Sequence, residues 1–312
     1  ASGNVTGVQN PYAEIDYKTS GGHDTYNALQ LGLSRRAANG LAVNAQYTLA
    51  RSFGNTSGSN EALTAGNNAR TLDQFEYDLG YNNFDVRHTF NLSAIYEIPY
   101  KGSGAKNALL GGWSVGGILN ARSGLPIDVR ITRPDILYVD GSGTYFNNPA
   151  AGRTAIINTP GGGNSRNVRR PDLVPGADPF ISNGGVTYLN PAAFSTPKPG
   201  TFGNLERGSL KGPGFQQIDL VLAKRFDLGG PATFEFRTEV FNLFDTANFS
   251  NPVATLPNAL PSSATTEANK LQPGQAFTSA AAGTFGAITS TVGRTVGLGT
   301  ARQIQFAFRV TF

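Results

Sequence analysis

Leu41-Ala42-Val43-Asn44-Ala45-Gln46-Tyr47-Thr48-Leu49 decides the fold class. Leu41, Val43, Ala45, Tyr47 and Leu49 lie on one side of an extended chain, and Ala42, Asn44, Gln46 and Thr48 on the other. That two-residue period belongs to a strand and not to a helix. Upstream, Leu29, Leu31 and Leu33 alternate with Ala28, Gln30, Gly32 and Ser34, and the two segments meet at Asn39-Gly40. Both residues of that dipeptide tolerate positive φ, so it predicts a tight hairpin.

The same period recurs downstream. Phe84, Val86, His88, Phe90, Leu92, Ala94, Tyr96 and Ile98 oppose Asp85, Arg87, Thr89, Asn91, Ser93 and Glu97, with Ile95 out of pattern. Trp113, Val115, Leu119 and Ala121 oppose Ser114, Asn120 and Arg122 in a glycine-rich stretch. Ile218, Leu220 and Leu222 oppose Gln217, Asp219 and Arg225, and after a turn Phe234, Phe236 and Val240 oppose Glu235, Arg237 and Glu239. The last segment sets Ile304, Phe306, Phe308, Val310 and Phe312 against Gln303, Gln305, Ala307, Arg309 and Thr311. Strands are expected over about 25–36, 40–52, 84–98, 113–123, 215–227, 232–245 and 301–312, with an eighth if Tyr12 to Lys18 forms one.

Connection lengths supply a second pattern. The links near 37–40, 99–112 and 228–231 are short, whereas 53–83, 131–214 and 246–300 are long, and the two kinds alternate without exception. An up-and-down antiparallel meander then carries every long loop at one end, as outer-membrane barrels do with their extracellular loops and periplasmic turns. Apolar side chains would face lipid and the polar set, including Asp219, Arg225, Glu235, Arg237 and Glu239, would line the lumen. Tyr47, Tyr96, Tyr100 and Trp113 fall near strand ends, where amphipathic rings favour the headgroup region. The fold expected is all-β: an antiparallel up-and-down transmembrane β-barrel, or part of one, forming a single segment over 1–312.

Composition agrees and excludes much else. Hydrophobic residues at 39% and charged residues at 15% fall below the roughly 45–50% and 25% of soluble domains, while 20 Phe and 11 Tyr keep the aromatic share high. With no Cys there is no disulfide framework, thiolate nucleophile or Cys-ligated metal. The net charge of +4 is scattered, with Arg166, Arg169 and Arg170 as the only local cluster, so no nucleic-acid partner is expected. No apolar run reaches the 18 residues of a spanning helix, but a strand crosses in about 9–11. The opening Ala1-Ser2-Gly3-Asn4 lacks a signal pattern and an initiator Met, as expected of a processed or excised chain.

Chemical constellations are sparse. Of two histidines, His23 lies in a glycine-rich turn, and alternation puts His88 and Asp85 on opposite faces. Glu235, Arg237 and Glu239 read as an ion ladder within one strand. Asp135, Asp140, Asp172 and Asp178 lack calcium-loop spacing, and Gly102-Ser103-Gly104-Ala105-Lys106 lacks the spacing of a phosphate loop. No catalytic residue, cofactor or metal is expected.

Several stretches resemble the carboxypeptidase-regulatory-like, Oar-type TonB-dependent receptors. They include Tyr26-Asn27-Ala28-Leu29-Gln30-Leu31, Tyr47-Thr48-Leu49-Ala50-Arg51-Ser52, Asp85-Val86-Arg87-His88-Thr89-Phe90 and Gly111-Gly112-Trp113. Further along come Arg122-Ser123-Gly124-Leu125-Pro126, Leu189-Asn190-Pro191-Ala192-Ala193-Phe194 and Gly208-Ser209-Leu210-Lys211-Gly212-Pro213-Gly214. Phe236-Arg237-Thr238-Glu239-Val240-Phe241-Asn242-Leu243-Phe244 closes the set. The resemblance implies a barrel of about 22 strands around a plug, energised through TonB and importing a scarce nutrient or peptide. On this resemblance the chain is expected to correspond to the C-terminal third of that pattern, the plug, TonB contact and regulatory domain lying outside it. Phe306, Phe308, Val310 and Phe312 resemble the signal read by the barrel-assembly machinery.

The partners expected are the lipid bilayer with its lipopolysaccharide, the assembly machinery, and whatever pairs with the sheet edges. Those edges have three outcomes: the remainder of a parent barrel and plug, closure on themselves, or other copies of the chain in an oligomer or extracellular filament. The first implies an uptake protein of the bacterial outer membrane, and the last a structural subunit at the cell surface.

Overall fold

A computed structural model describes residues 20–56, 75–100, 102–159, 169–182, 186–260, 271–293, 299 and 301–312. Seven long strands carry the architecture: β1 (Asp24–Ala38), β2 (Leu41–Gly54), β3 (His88–Glu97), β4 (Trp113–Arg122), β5 (Phe215–Gly229), β6 (Ala232–Phe241) and β7 (Gln303–Thr311). They form one antiparallel sheet whose spatial order is the order of the sequence, with the short strand Gly80–Tyr81 added at the end of β2. The candidate strand at Tyr12 to Lys18 lies outside the described residues.

Local chemistry explains the turns. Asn39 and Gly40 have φ of 54° and 81°, so the β1–β2 hairpin takes a left-handed pair that splays neither strand. The Gly40 carbonyl accepts from Glu97 N–H at 2.8 Å, tying the hairpin to β3. The link 98–112 contains a helix, Gly104–Leu110, where only a turn was expected. Its Leu109 carbonyl accepts from the Trp113 indole at 2.9 Å, so the helix fixes the start of β4.

Strand β3 begins at His88 and not at Phe84. Asp85 turns inward before the strand starts, accepting from Ser52 N–H at 2.6 Å and from the Lys211 ammonium at 2.7 Å. Burying that carboxylate requires donors, and Ser52 and Lys211 supply them.

Among the described residues, a hydrophobic core of buried side chains lies off the sheet. Ile127, Val129, Ile131, Leu189, Phe194 and Leu205 from the loop after β4 pack with Leu256, Leu271, Phe277 and Phe285 from the loop after β6. Small ladders hold this cap together: Ile136–Val139 with Thr154–Ile157 and Tyr145–Phe146, and Arg130–Ile131 with Thr255–Leu256. The two longest connections therefore fold as one unit and shed the cost of two separate structureless loops.

Candidate functional site: the polar wall and its cap

Register shows which residues share a face. Gln46 opposes Asn91, Asn91 opposes Asn120, and Asn120 opposes Gln217, so four carboxamides form one row across β2, β3, β4 and β5. The next row runs Ser34, Asn44, Ser93, Ile118 and Asp219. Toward β7 the same face carries Glu235 opposite Arg225 and Arg309, with Arg237 and Glu239 beyond. Ion pairs neutralise it locally, Arg225–Glu235 at 3.5 Å and Arg237–Glu239 at 3.1 Å. Asp219 accepts from Gln217 Nε2 at 2.7 Å and Asn242 N–H at 2.8 Å.

The opposite face is mainly apolar. Leu29, Leu31 and Leu33 of β1 and Ile304, Phe306, Phe308 and Val310 of β7 are exposed, and Phe312 is 91% exposed. Rings stack down this face, Phe236 on Phe306 at 6.1 Å and Phe234 on Phe308 at 6.3 Å. A soluble sheet would bury such a surface, so water is not its solvent.

Of the four aromatics expected near strand ends, Tyr96 opposes Leu41 beside the β1–β2 turn, Trp113 opens β4, and Tyr100 lies in the link after β3. Tyr47 lies midway along β2 and not near its end, because the strand runs on to Gly54, and its hydroxyl is 2.8 Å from His88 Nδ1. Lys224 was missed by the period alone. It interrupts the apolar face of β5, is 3% exposed, and donates to the Gly111 carbonyl with its ammonium 5.4 Å from the Trp113 ring. The stem thus stays in the apolar layer while the charge reaches the turn.

Residues 2–305 match the model of a family described as an outer membrane beta barrel domain. The chain belongs to that family. Comparison with curated proteins and with solved structures gave no match. As an outer membrane beta barrel domain, the protein resides in the bacterial outer membrane, with its apolar face against lipid and its long loops extracellular. No helix among the described residues is long and apolar enough to cross a membrane.

The cap of this barrel domain is fastened to the wall by buried polar struts. The Arg207 guanidinium donates to the Gly54 and Gly80 carbonyls at 2.6 and 3.2 Å. Lys211 reaches Asp85, and Gly299 N–H donates to Gln217 Oε1 at 2.7 Å. Inside the cap, Arg133 donates to the carbonyls of Asn158, Lys198 and Thr201 at 2.7–2.8 Å. Burial first, then the neighbouring Arg169, lowers its pKa to about 10, against the opposing pull of Asp172. Asp140, outside this core, is held below the usual carboxylate range, first by the Ser142 side chain and then by the Thr144 N–H. No group of three or more His, Cys, Asp or Glu gathers as a metal site among the described residues.

No local period in the sequence reports the struts or the cap core. The one available signal was Ile127, Val129 and Ile131 at spacing two, and nothing local says what they pack against.

Proposed function

We propose that this chain is the C-terminal barrel portion of an Oar-like TonB-dependent receptor, without enzymatic activity, supplying lumen wall and extracellular cap for uptake of a nutrient or peptide. Strand direction carries the reading. Strand β1 runs toward the short-turn end, the six following strands alternate, and β7 again runs toward the short-turn end. Both edges therefore point the same way, and among the described residues each pairs on one side only.

Two edges of one direction cannot join antiparallel. Closing these seven strands on themselves, or pairing β7 of one copy with β1 of another in the same membrane, would put two like-directed strands together. Spanning barrels are antiparallel throughout. An odd number of further strands must intervene, which counts against a filament of seven-stranded copies. A strand at Tyr12 to Lys18 would supply one, and the remainder of a parent barrel would supply the larger wall that the resemblance implies. The neutral amide row, the paired lumen charges and the cap suit a conduit that a polar solute enters from outside. In this reading Phe306, Phe308, Val310 and Phe312 present the assembly signal to the barrel-assembly machinery, and a plug occupies the lumen.

Intact mass and TonB cross-linking of the outer-membrane polypeptide that carries this sequence test the reading. A chain far larger than 32.8 kDa that cross-links to TonB is expected. A 32.8 kDa chain alone, without a TonB contact, would overturn it.

A further inference from the structure

On the lipid-facing side of β1, β2 and β3, successive rows read Leu33–Ala45–Leu92, Leu31–Tyr47–Phe90, Leu29–Leu49–His88 and then Asn27–Arg51. The change from aliphatic to cationic occurs in a single two-residue step, about 7 Å along the strand. Arg51 is exposed, and its guanidinium lies 4.8 Å from the Phe53 ring centre and 5.5 Å from that of Tyr81. The Lys211 ammonium approaches the same Tyr81 ring at 4.1 Å. Two cations thus share one ring and, among the described residues, one carboxylate, because Asp85 pairs with Lys211 and also takes the Ser52 N–H. Arg51 makes no ion pair among the described residues, and its guanidinium sits directly above the apolar belt.

One row below, His88, its Nδ1 engaged by the Tyr47 hydroxyl, lines a cleft of about 450 Å³. Phe90, Ala121 and Gln216, all on this same outward side, line the cleft together with Ser123 and Asn248. A ligand that fits must carry negative charge at the rim, hydroxyls or amides in the cleft, and apolar mass against Leu29, Leu49 and Phe90. A soluble anion meets only the first of these requirements.

We propose that Arg51, Lys211, His88 and the adjoining cleft bind the phosphorylated sugar headgroup of an outer-leaflet glycolipid, its acyl chains lying on the apolar rows below. Planar guanidinium against phosphate gives directional, charge-assisted hydrogen bonds, and the aromatic platform holds the arginine stem in place. The site rests on the barrel's place in the outer membrane and is independent of what, if anything, the barrel imports.

The polypeptide, extracted from its own outer membrane and placed in nanodiscs, is weighed with its retained lipid by native mass spectrometry. The nanodiscs contain either phosphorylated lipid A or the same lipid after enzymatic dephosphorylation. Wild type is expected to retain the phosphorylated form preferentially. A basic residue near an anionic surface contributes a factor of about five, so Arg51→Gln should lower retention by about that much and Arg51→Lys should restore most of it. His88→Gln should reduce it less. Equal retention of both lipids by wild type, unchanged retention in Arg51→Gln, or complete displacement by inorganic phosphate would overturn the proposal. The first comparison needs no variant, so a misfolded mutant does not blunt the test.

Discussion

Arg207 lies 153 residues from Gly54 along the chain, yet its guanidinium donates to the Gly54 carbonyl at 2.6 Å. The side chain is almost wholly buried and also reaches the Gly80 carbonyl, where β2 ends and the Gly80–Tyr81 strand pairs with it. One residue of the cap thereby closes the extracellular end of the wall.

Replacing Arg207 by Met should strip both carbonyls of a charged donor inside a dry junction. An unsatisfied buried acceptor costs about 1–3 kcal/mol, so a local loss of about 3 kcal/mol is expected. Amide hydrogen exchange at Tyr81, whose N–H donates to the Arg207 carbonyl, should speed up by about 100-fold. Unchanged exchange there would show that the strut contributes nothing.

Phe194 is fully buried in the cap, 5.3 Å from the Phe285 ring that the other long loop supplies. Phe194→Ala removes the shared filling and should cost about 3–5 kcal/mol. Because both loops feed one core, protease sites in 123–214 and 242–302 should open together while the spanning strands stay resistant. Opening of the first loop alone would mean that the two fold independently.

A side chain at Gly40 meets two obstacles. Its φ of 81° costs an L-residue about 1–2 kcal/mol, and an added Cβ would sit 2.2 Å from the Glu97 carbonyl. Gly40→Val should therefore lose the bond from Glu97 N–H and slow barrel assembly, seen as a smaller heat-modifiable fraction on gels. The same substitution at Gly143, also at positive φ but with nothing within 4 Å, should be far milder.

Tyr188 donates its hydroxyl to the Lys211 carbonyl at 3.0 Å, and burial raises its pKa above the ordinary 10.0. The folded state therefore keeps a proton that the unfolded chain gives up. That stability is present in full below pH 10.0 and is lost as pH rises through the folded value. Cap proteolysis followed from pH 8 to 11 should accelerate at the alkaline end, and Tyr188→Phe should flatten the rise at the cost of one hydrogen bond. An identical rise in both proteins would assign the effect to other groups.

Alternation made the seven strands legible because a sheet with lipid on one side and polar solvent on the other imposes its period on every strand. The exceptions have local causes. The strand start moved from Phe84 to His88 because Asp85 is drawn to two donors distant in sequence, Ser52 and Lys211. The link 98–112 hides a helix because Gly104–Leu110 spans seven residues, too short for a helical period to stand out.

By itself, the sequence determined the strands, their faces, and the sorting of short turns from long loops. Each of these follows from side chains a few residues apart meeting two different solvents. Tertiary structure alone decided that the two longest loops share a core, that Arg207 and Lys211 pin it to the wall, and that Arg51 shares the Tyr81 ring with Lys211. Most of those contacts join residues far apart in the chain, Arg207 and Gly54 by 153 positions, and their partners are chosen by packing and by the need of buried polar groups for donors. Neither leaves a period in the chain.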